Sequence, residues 1–277
     1  MLKDLIVNLS AGDQRDVAAE FAISVAEKFE AHVTGIAYRF RIELPGTILG
    51  TGLSAGIVEA QAEATNKQIA EILARFERAA KRAGVSFDTM SPDLTLAGAS
   101  EGFGRAARTY DLAVVRQPQP DKPGPEELIA EGALFGGARP TLIVPYVQKD
   151  GLKLDRVTVC WDGGRAASRA VADALPFLAR AKKVEVLIVQ KKDAPADELP
   201  GATMAQHLAR HKLNVELRTM LVPELDVASA ILSHVADNQT DLLVMGGYGH
   251  SRLREFVLGG VTRNILASMT VPTLMSH

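Results

Sequence analysis

An internal repeat constrains this chain more than any other feature. Leu2-Lys3-Asp4-Leu5-Ile6-Val7 is answered by Leu154-Asp155-Arg156-Val157-Thr158-Val159. Asp111-Leu112-Ala113-Val114-Val115 is answered by Asp241-Leu242-Leu243-Val244-Met245, and Pro140-Thr141-Leu142 by Pro272-Thr273-Leu274. The order is the same in both halves, so the chain reads as a tandem duplication, and each copy must be able to form the same unit. The expected domains are residues 1–147 and 153–277, joined near Val147 to Leu152. The first copy carries an additional stretch around Arg39 to Glu59.

Within each copy, short β-branched runs alternate with longer helical stretches. In the second copy, strands are expected near 156–161, 183–189, 214–221, 242–245 and 273–275. Helices are expected near 166–180, 203–211, 226–237 and 260–269. In the first copy the clearest helix runs from about Ala60 to Lys81, where Ile69, Ile72, Leu73, Phe76 and Ala80 fall on one face. Ala113-Val114-Val115 and Val186-Leu187-Ile188-Val189 are continuously apolar, as parallel strands covered on both faces must be. The expected class is α/β: two tandem doubly wound, Rossmann-like parallel sheets.

Charge and composition exclude several functions. Lys+Arg 31 against Asp+Glu 33 gives a net charge of −2, without the basic footprint that nucleic acid requires. Apolar runs stop short of the roughly 20 residues that span a bilayer. Asp4 stands where a signal peptide would be basic and then apolar. A single cysteine allows no intrachain disulfide. The expectation is a cytoplasmic protein that binds neither nucleic acid nor membrane.

In open α/β sheets, ligands lie beyond the carboxyl ends of the strands, where strand order reverses. The second copy's first strand is followed by Trp161-Asp162-Gly163-Gly164. Its fourth is followed by Gly246-Gly247-Tyr248-Gly249-His250-Ser251, and the stretch continues to Gly259-Gly260-Val261-Thr262 with Arg252, Arg254 and Arg263 nearby. Glycines let backbone N–H groups approach an anion, and Gly259-Gly260 stands directly before an expected helix whose first N–H groups are unpaired. Neither a Walker A loop nor a GxGxxG fingerprint is present.

These residues resemble the universal stress protein family, in its ATP-binding subgroup. The subgroup's motif is G-x2-G-x9-G-[S/T]. Gly246, Gly249 and Gly259 match it without a gap, and Gly260 stands where the family has Ser or Thr. The aspartate that closes the family's first strand is matched by Asp162. The resemblance covers residues 154–277 and, more loosely, 1–147. It implies an adenine nucleotide alpha hydrolase-like fold whose two domains pair through their last strands, here Thr141–Val144 and Thr273–Met275, as a pseudo-dimer within one chain. It implies ATP or another adenine nucleotide, with Mg²⁺ as a possible companion, held by Asp162 at the adenosine and by Val189 at the adenine edge. Met245 and Gly246 would flank the ribose and phosphates; Gly249, Gly259, Gly260 and Val261 would line the phosphates. Glycine at 260 forgoes one hydroxyl contact, worth about 1.5–3 kcal/mol to a charged group. An unidentified protein partner and a homodimer are implied as well.

The first copy departs from this pattern. Its first strand ends in Ser10, and Arg116-Gln117-Pro118-Gln119-Pro120 replaces the glycine loop with prolines that lack an N–H. No nucleotide site of the usual kind is expected there, and Gly136-Gly137 reads as a structural turn, with a helix end or a small anion contact as alternatives. Cys160 reads as a structural thiol beside the adenosine position. His250 either touches a phosphate or stands as an exposed loop residue. His207 and His211, at i, i+4, read as a solvated helix face rather than a metal site. The segment Leu44–Val58 reads as an inserted loop, a lid or a contact surface. A side chain at Gly246 is expected to abolish nucleotide binding while leaving the fold intact. The function read from all this is a nucleotide-binding regulatory module, with a slow ATP hydrolase or a nucleotide-free scaffold as alternatives.

Overall fold

In the computed structural model, residues 1–10, 15–41, 55–119, 124–191, 201–222, 227–247 and 260–277 are described. The first half runs β1 (Asp4–Asn8), α1 (Val17–Phe29), β2 (His32–Ile36), β3 (Arg39–Arg41), α2 (Ala55–Ala83), β4 (Phe87–Met90), β5 (Asp93–Thr95), α3 (Ala99–Ala107), β6 (Leu112–Arg116), α4 (Glu126–Glu131) with a π-helical turn at Gly132–Gly136, and β7 (Thr141–Val144). The second half runs β8 (Arg156–Cys160), α5 (Arg165–Leu178), β9 (Lys183–Lys191), α6 (Ala202–Arg210), β10 (Val215–Val222), α7 (Val227–Asp237), β11 (Leu242–Gly246), α8 (Gly260–Ser268) and β12 (Thr273–Ser276).

Ten of these strands form one sheet in the order β10-β9-β8-β11-β12-β7-β6-β1-β2-β4, while β3 and β5 form a small parallel pair beside it. Counting only the strands of the large sheet within each half, both halves have the order 3-2-1-4-5. The repeat in sequence is therefore a repeat in topology. All neighbours are parallel except the central pair, β12 and β7, which run antiparallel with Leu274 opposite Leu142. The last strands of the two copies thus meet as expected. Because they meet antiparallel, the carboxyl ends of the two halves open on opposite edges of the sheet.

Side-chain alternation explains why the strands are apolar throughout. Leu5, Val7, Val157, Val159, Val184 and Val186 enter one buried cluster, which continues through the helices and carries Phe21, Phe76 and Phe177. Ile6, Ala113, Val115, Leu187, Leu243 and Met245 enter the other, with Phe103 and Ile265. A strand covered on both faces has no polar side to show. The long helix α2 buries Ile69, Ile72, Phe76 and Ala80 as its periodicity requires, but it starts at Ala55. It therefore takes in the end of the stretch read as an insert; residues 42–54 lie outside the described residues. Gly136 closes the π-helical turn and Gly137 follows as its cap. Here α3 and the turn touch through their backbones, since a methyl on Gly104 would stand 2.7 Å from the Gly132 carbonyl oxygen.

Gln117 ties the two halves together beyond the sheet. Its side chain is 1% exposed. Its Nε2 donates to the carbonyl of Leu266 in α8 at 2.8 Å, and its Oε1 accepts the Tyr146 N–H at 3.3 Å.

Candidate functional site

Strand order reverses between β8 and β11 in the second half and between β1 and β6 in the first. The two crevices can be compared residue by residue. At the second, β8 ends with Cys160, and the Trp161 N–H makes the last bond to β9, on Leu187 O at 2.9 Å. Strand β9 runs on to Lys191. Two residues past Leu187, Val189 presents the same edge of its main chain, because N–H and C=O directions alternate along a strand. That edge faces the space β8 has left, and Val189 is half-buried. Asp162 is exposed at the end of β8, where its Oδ1 accepts the Gly164 N–H at 2.7 Å. Gly163 between them takes φ +76, the left-handed turn that leads into α5.

On the other side of the crevice, β11 ends at Gly246, with Met245 buried just before it. A methyl on Gly246 would stand 2.5 Å from Ala167 N and 2.6 Å from Ala166 C, both backbone atoms of α5. Glycine is therefore required here for the close approach of helix to strand. This corrects the expectation that a side chain at 246 would leave the fold untouched. Helix α8 begins at Gly260, which is exposed and, among the described residues, has nothing within 4 Å of where a Cβ would lie. Val261 is half-buried behind it and Thr262 is buried. Gly249, His250 and Gly259 lie outside the described residues.

The electrostatics of the two crevices differ. A helix N-terminus carries roughly half a positive charge, which a nearby carboxylate neutralises. Helix α5 has no side-chain cap and no acidic residue in its first turn, and α8 has no acidic residue in its first turn either. In the first half, α1 is capped by Asp16 and has Glu20 in its first turn, while α4 begins with Glu126 and Glu127. Helix α8 thus keeps a positive end that α4 has lost, while the start of α5 has the Asp162 carboxylate beside it, on the Gly164 N–H.

The first crevice is also filled. Arg116 closes β6 at the position Gly246 holds in β11, and it is 9% exposed. The buried Asp16 carboxylate accepts the Ser10 N–H at 2.8 Å and the Ala19 N–H at 3.1 Å. Burial pushes its pKa up, while those two N–H groups and the nearby Arg75 and Arg116 pull it back. Arg75 reaches over from α2 to donate to Ser10 O at 3.3 Å. Sequence reasoning assigned the loss of this crevice to prolines; Arg116, Asp16 and Arg75 add a plug of side chains. The available signal was Arg116 aligned with Gly246. Two buried hydroxyls at this end, Ser10 Oγ and Tyr38 Oη, have no hydrogen-bond partner among the described residues.

Cys160 is half-buried, and burial, with Glu185 and Asp162 adding negative charge, pushes its thiol up to about 12. It stands at the end of β8, beside the crevice. His207 and His211 are both exposed, with ring centroids 4.9 Å apart. Among the described residues no group of three or more His, Cys, Asp or Glu is arranged to hold a metal, and no helix is long and apolar enough to cross a membrane.

The fold defines a tandem doubly wound α/β protein with a switch point in each half. Residues 153–277 match the family model described as the universal stress protein family, and this half of the chain is a universal stress protein domain. A curated relative, universal stress protein Slr1230 of Synechocystis, is 28% identical over 144 residues, which are 49% of this chain and 46% of the relative. The chain thus matches about half the length of that relative. A solved universal stress protein from Archaeoglobus fulgidus superposes with a TM-score of 0.70 at 15% identity, covering 99% of this chain and 97% of the other. A functionally unknown protein from Pseudomonas aeruginosa superposes with a TM-score of 0.63 at 12% identity, covering 99% and 92%. At these identities the structures show a shared fold, and it spans both halves.

Proposed function

We propose that the second half binds one adenine nucleotide, ATP or a relative of it, and that the chain works as a nucleotide-dependent regulatory module read by a protein partner. The observation that carries this reading is the contrast between the two crevices. The helix starts beside β8 and β11 have no acid in their first turns, while those beside β1 and β6 do, and Arg116, Asp16 and Arg75 gather at the first crevice.

The residues fit such a ligand. The Asp162 carboxylate is exposed and committed to one N–H, which leaves acceptor capacity for a ribose hydroxyl. The free main-chain edge of Val189 suits the hydrogen-bonding edge of adenine. Met245 and Gly246 form the floor under the ribose. Gly260 and Val261 offer first-turn N–H groups to phosphate with no Cβ in the way at 260. Gly249, His250 and Gly259 belong to the same proposed site by their place in the motif. Mg²⁺ would be carried on the phosphates. The reading is one of binding rather than turnover.

The test is titration of a fluorescent adenine nucleotide into the parent protein and Asp162→Ala. Loss of a hydrogen bond to a charged group is worth about 1.5–3 kcal/mol, so affinity should fall about 10- to 100-fold. The melting temperature should hardly move, since Asp162 is exposed. Undiminished affinity in Asp162→Ala would refute the placement.

A further inference from the structure

Among the described residues the sheet ends at β4 on one side and β10 on the other, with nothing paired beyond them. Strand β4 is four residues long, whereas β10 is eight. Strand β10 is held in register along its whole length by β9, from Val215 opposite Val184 to Val222 opposite Lys191. Such an edge presents a straight row of unpaired N–H and C=O groups to any strand that can align with it.

The direction of those groups can be worked out. The Val184 N–H donates to Asn214 O at 2.8 Å, so Asn214 faces β9. Directions alternate, so Glu216, Arg218 and Met220 also face inward, while Val215, Leu217, Thr219 and Leu221 turn their N–H and C=O outward. A second copy related by a twofold axis perpendicular to the sheet pairs residues whose numbers sum to an even total, since like faces must coincide. An axis through Glu216 or Arg218 would set like charges opposite each other. An axis through Thr219 would set each charge against an apolar residue. An axis through Leu217 sets Glu216 opposite Arg218 of the second copy, twice.

That register agrees with the hydrogen bonds. Leu217 faces itself, and Val215 faces Thr219, through their outward groups. The Glu216–Arg218 pairs then fall at the non-hydrogen-bonded positions, where facing side chains come closest. Leu221, which is 65% exposed, would be covered by Leu213 of the second copy. Glu216 already touches Lys183 within its own chain and would lie between two cations.

We propose that β10 is a self-complementary interface through which two copies of this chain join edge to edge, centred on Leu217. This surface is distinct from the β7–β12 seam, which one chain closes by itself.

The experiment is sedimentation velocity of the full chain over a concentration series. The parent should dimerise. Thr219→Pro, which deletes an outward N–H without touching the β9 ladder, should be monomeric with an unchanged circular dichroism spectrum. Glu216→Arg and Arg218→Glu each set like charges opposite each other and should be monomeric alone. Mixed together, they restore both pairs and should form a heterodimer. A parent that stays monomeric at every concentration would overturn the proposal. So would a dimer that survives Thr219→Pro and both charge reversals. Should Thr219→Pro fail to fold, the exposed Arg218→Glu substitution and the mixing experiment decide alone.

Discussion

Two glycines of the same motif should respond in opposite ways to alanine. At Gly246 the new methyl would stand 2.5 Å from Ala167 N and 2.6 Å from Ala166 C. Backbone cannot swing aside as a side-chain tip can, so α5 must lift from the end of β11. Overpacking of this kind costs about 1–3 kcal/mol. For a domain of 150–250 residues, each kcal/mol shifts the melting temperature by about 2–4 °C. Gly246→Ala should therefore melt about 2–12 °C lower with no nucleotide present. Among the described residues the same methyl at Gly260 meets nothing within 4 Å, and its φ is not positive, so alanine there should gain about 0.4–1 kcal/mol by restricting the unfolded chain. Gly260→Ala should melt at the parent temperature or slightly above. The assay is thermal unfolding followed by circular dichroism on nucleotide-stripped protein. Equal melting temperatures for parent and Gly246→Ala would refute the packing argument. They would return Gly246 to the purely ligand-facing role suggested by its motif.

Three further outcomes follow from buried polar groups. Gln117→Ala removes one bond from the first half to α8 and one to Tyr146 within the first half, and should cost about 1–3 kcal/mol in chemical denaturation. The Cys160 thiol, pushed from 9.0 to about 12, should react with iodoacetamide at pH 8 about 1000-fold more slowly in the folded protein than in urea, as its thiolate fraction dictates. Equal rates would show that the thiol is not desolvated. Glu185 and His234, both buried, meet at 2.6 Å beneath the second crevice's strands. Removing either partner alone should cost about 3–5 kcal/mol, and the double alanine variant much less than the sum, as a double-mutant cycle would report.

The elements were legible where burial is two-sided. Val186-Leu187-Ile188-Val189 and Ala113-Val114-Val115 have no polar face to offer, so parallel strands covered by helices were the consistent reading. Pro140-Thr141-Leu142 and Pro272-Thr273-Leu274 marked the same strand twice, but that these two strands pair came from the family resemblance and not from the repeat. What stayed hidden depends on contacts distant in sequence. Asp16 and Arg75 meet at Ser10, with the Arg116 charge nearby, only after the start of α1, α2 and β6 are brought together. The packing role of Gly246 was missed because a glycine that admits a helix and a glycine that admits a phosphate look alike in one dimension. The charge pattern of β10 was visible as Glu216 and Arg218. Its meaning required knowing that β10 is an edge and which backbone groups face outward.

The central claim is one nucleotide per chain, in the second half only. Calorimetric titration of ATP with Mg²⁺ into stripped protein tests it most directly. The account predicts a stoichiometry near one, with the heat diminished in Asp162→Ala. Two sites per chain would show that Arg116 and Asp16 do not close the first crevice. No heat even at millimolar ATP, a binding free energy weaker than about −4 kcal/mol, would contradict the proposed function.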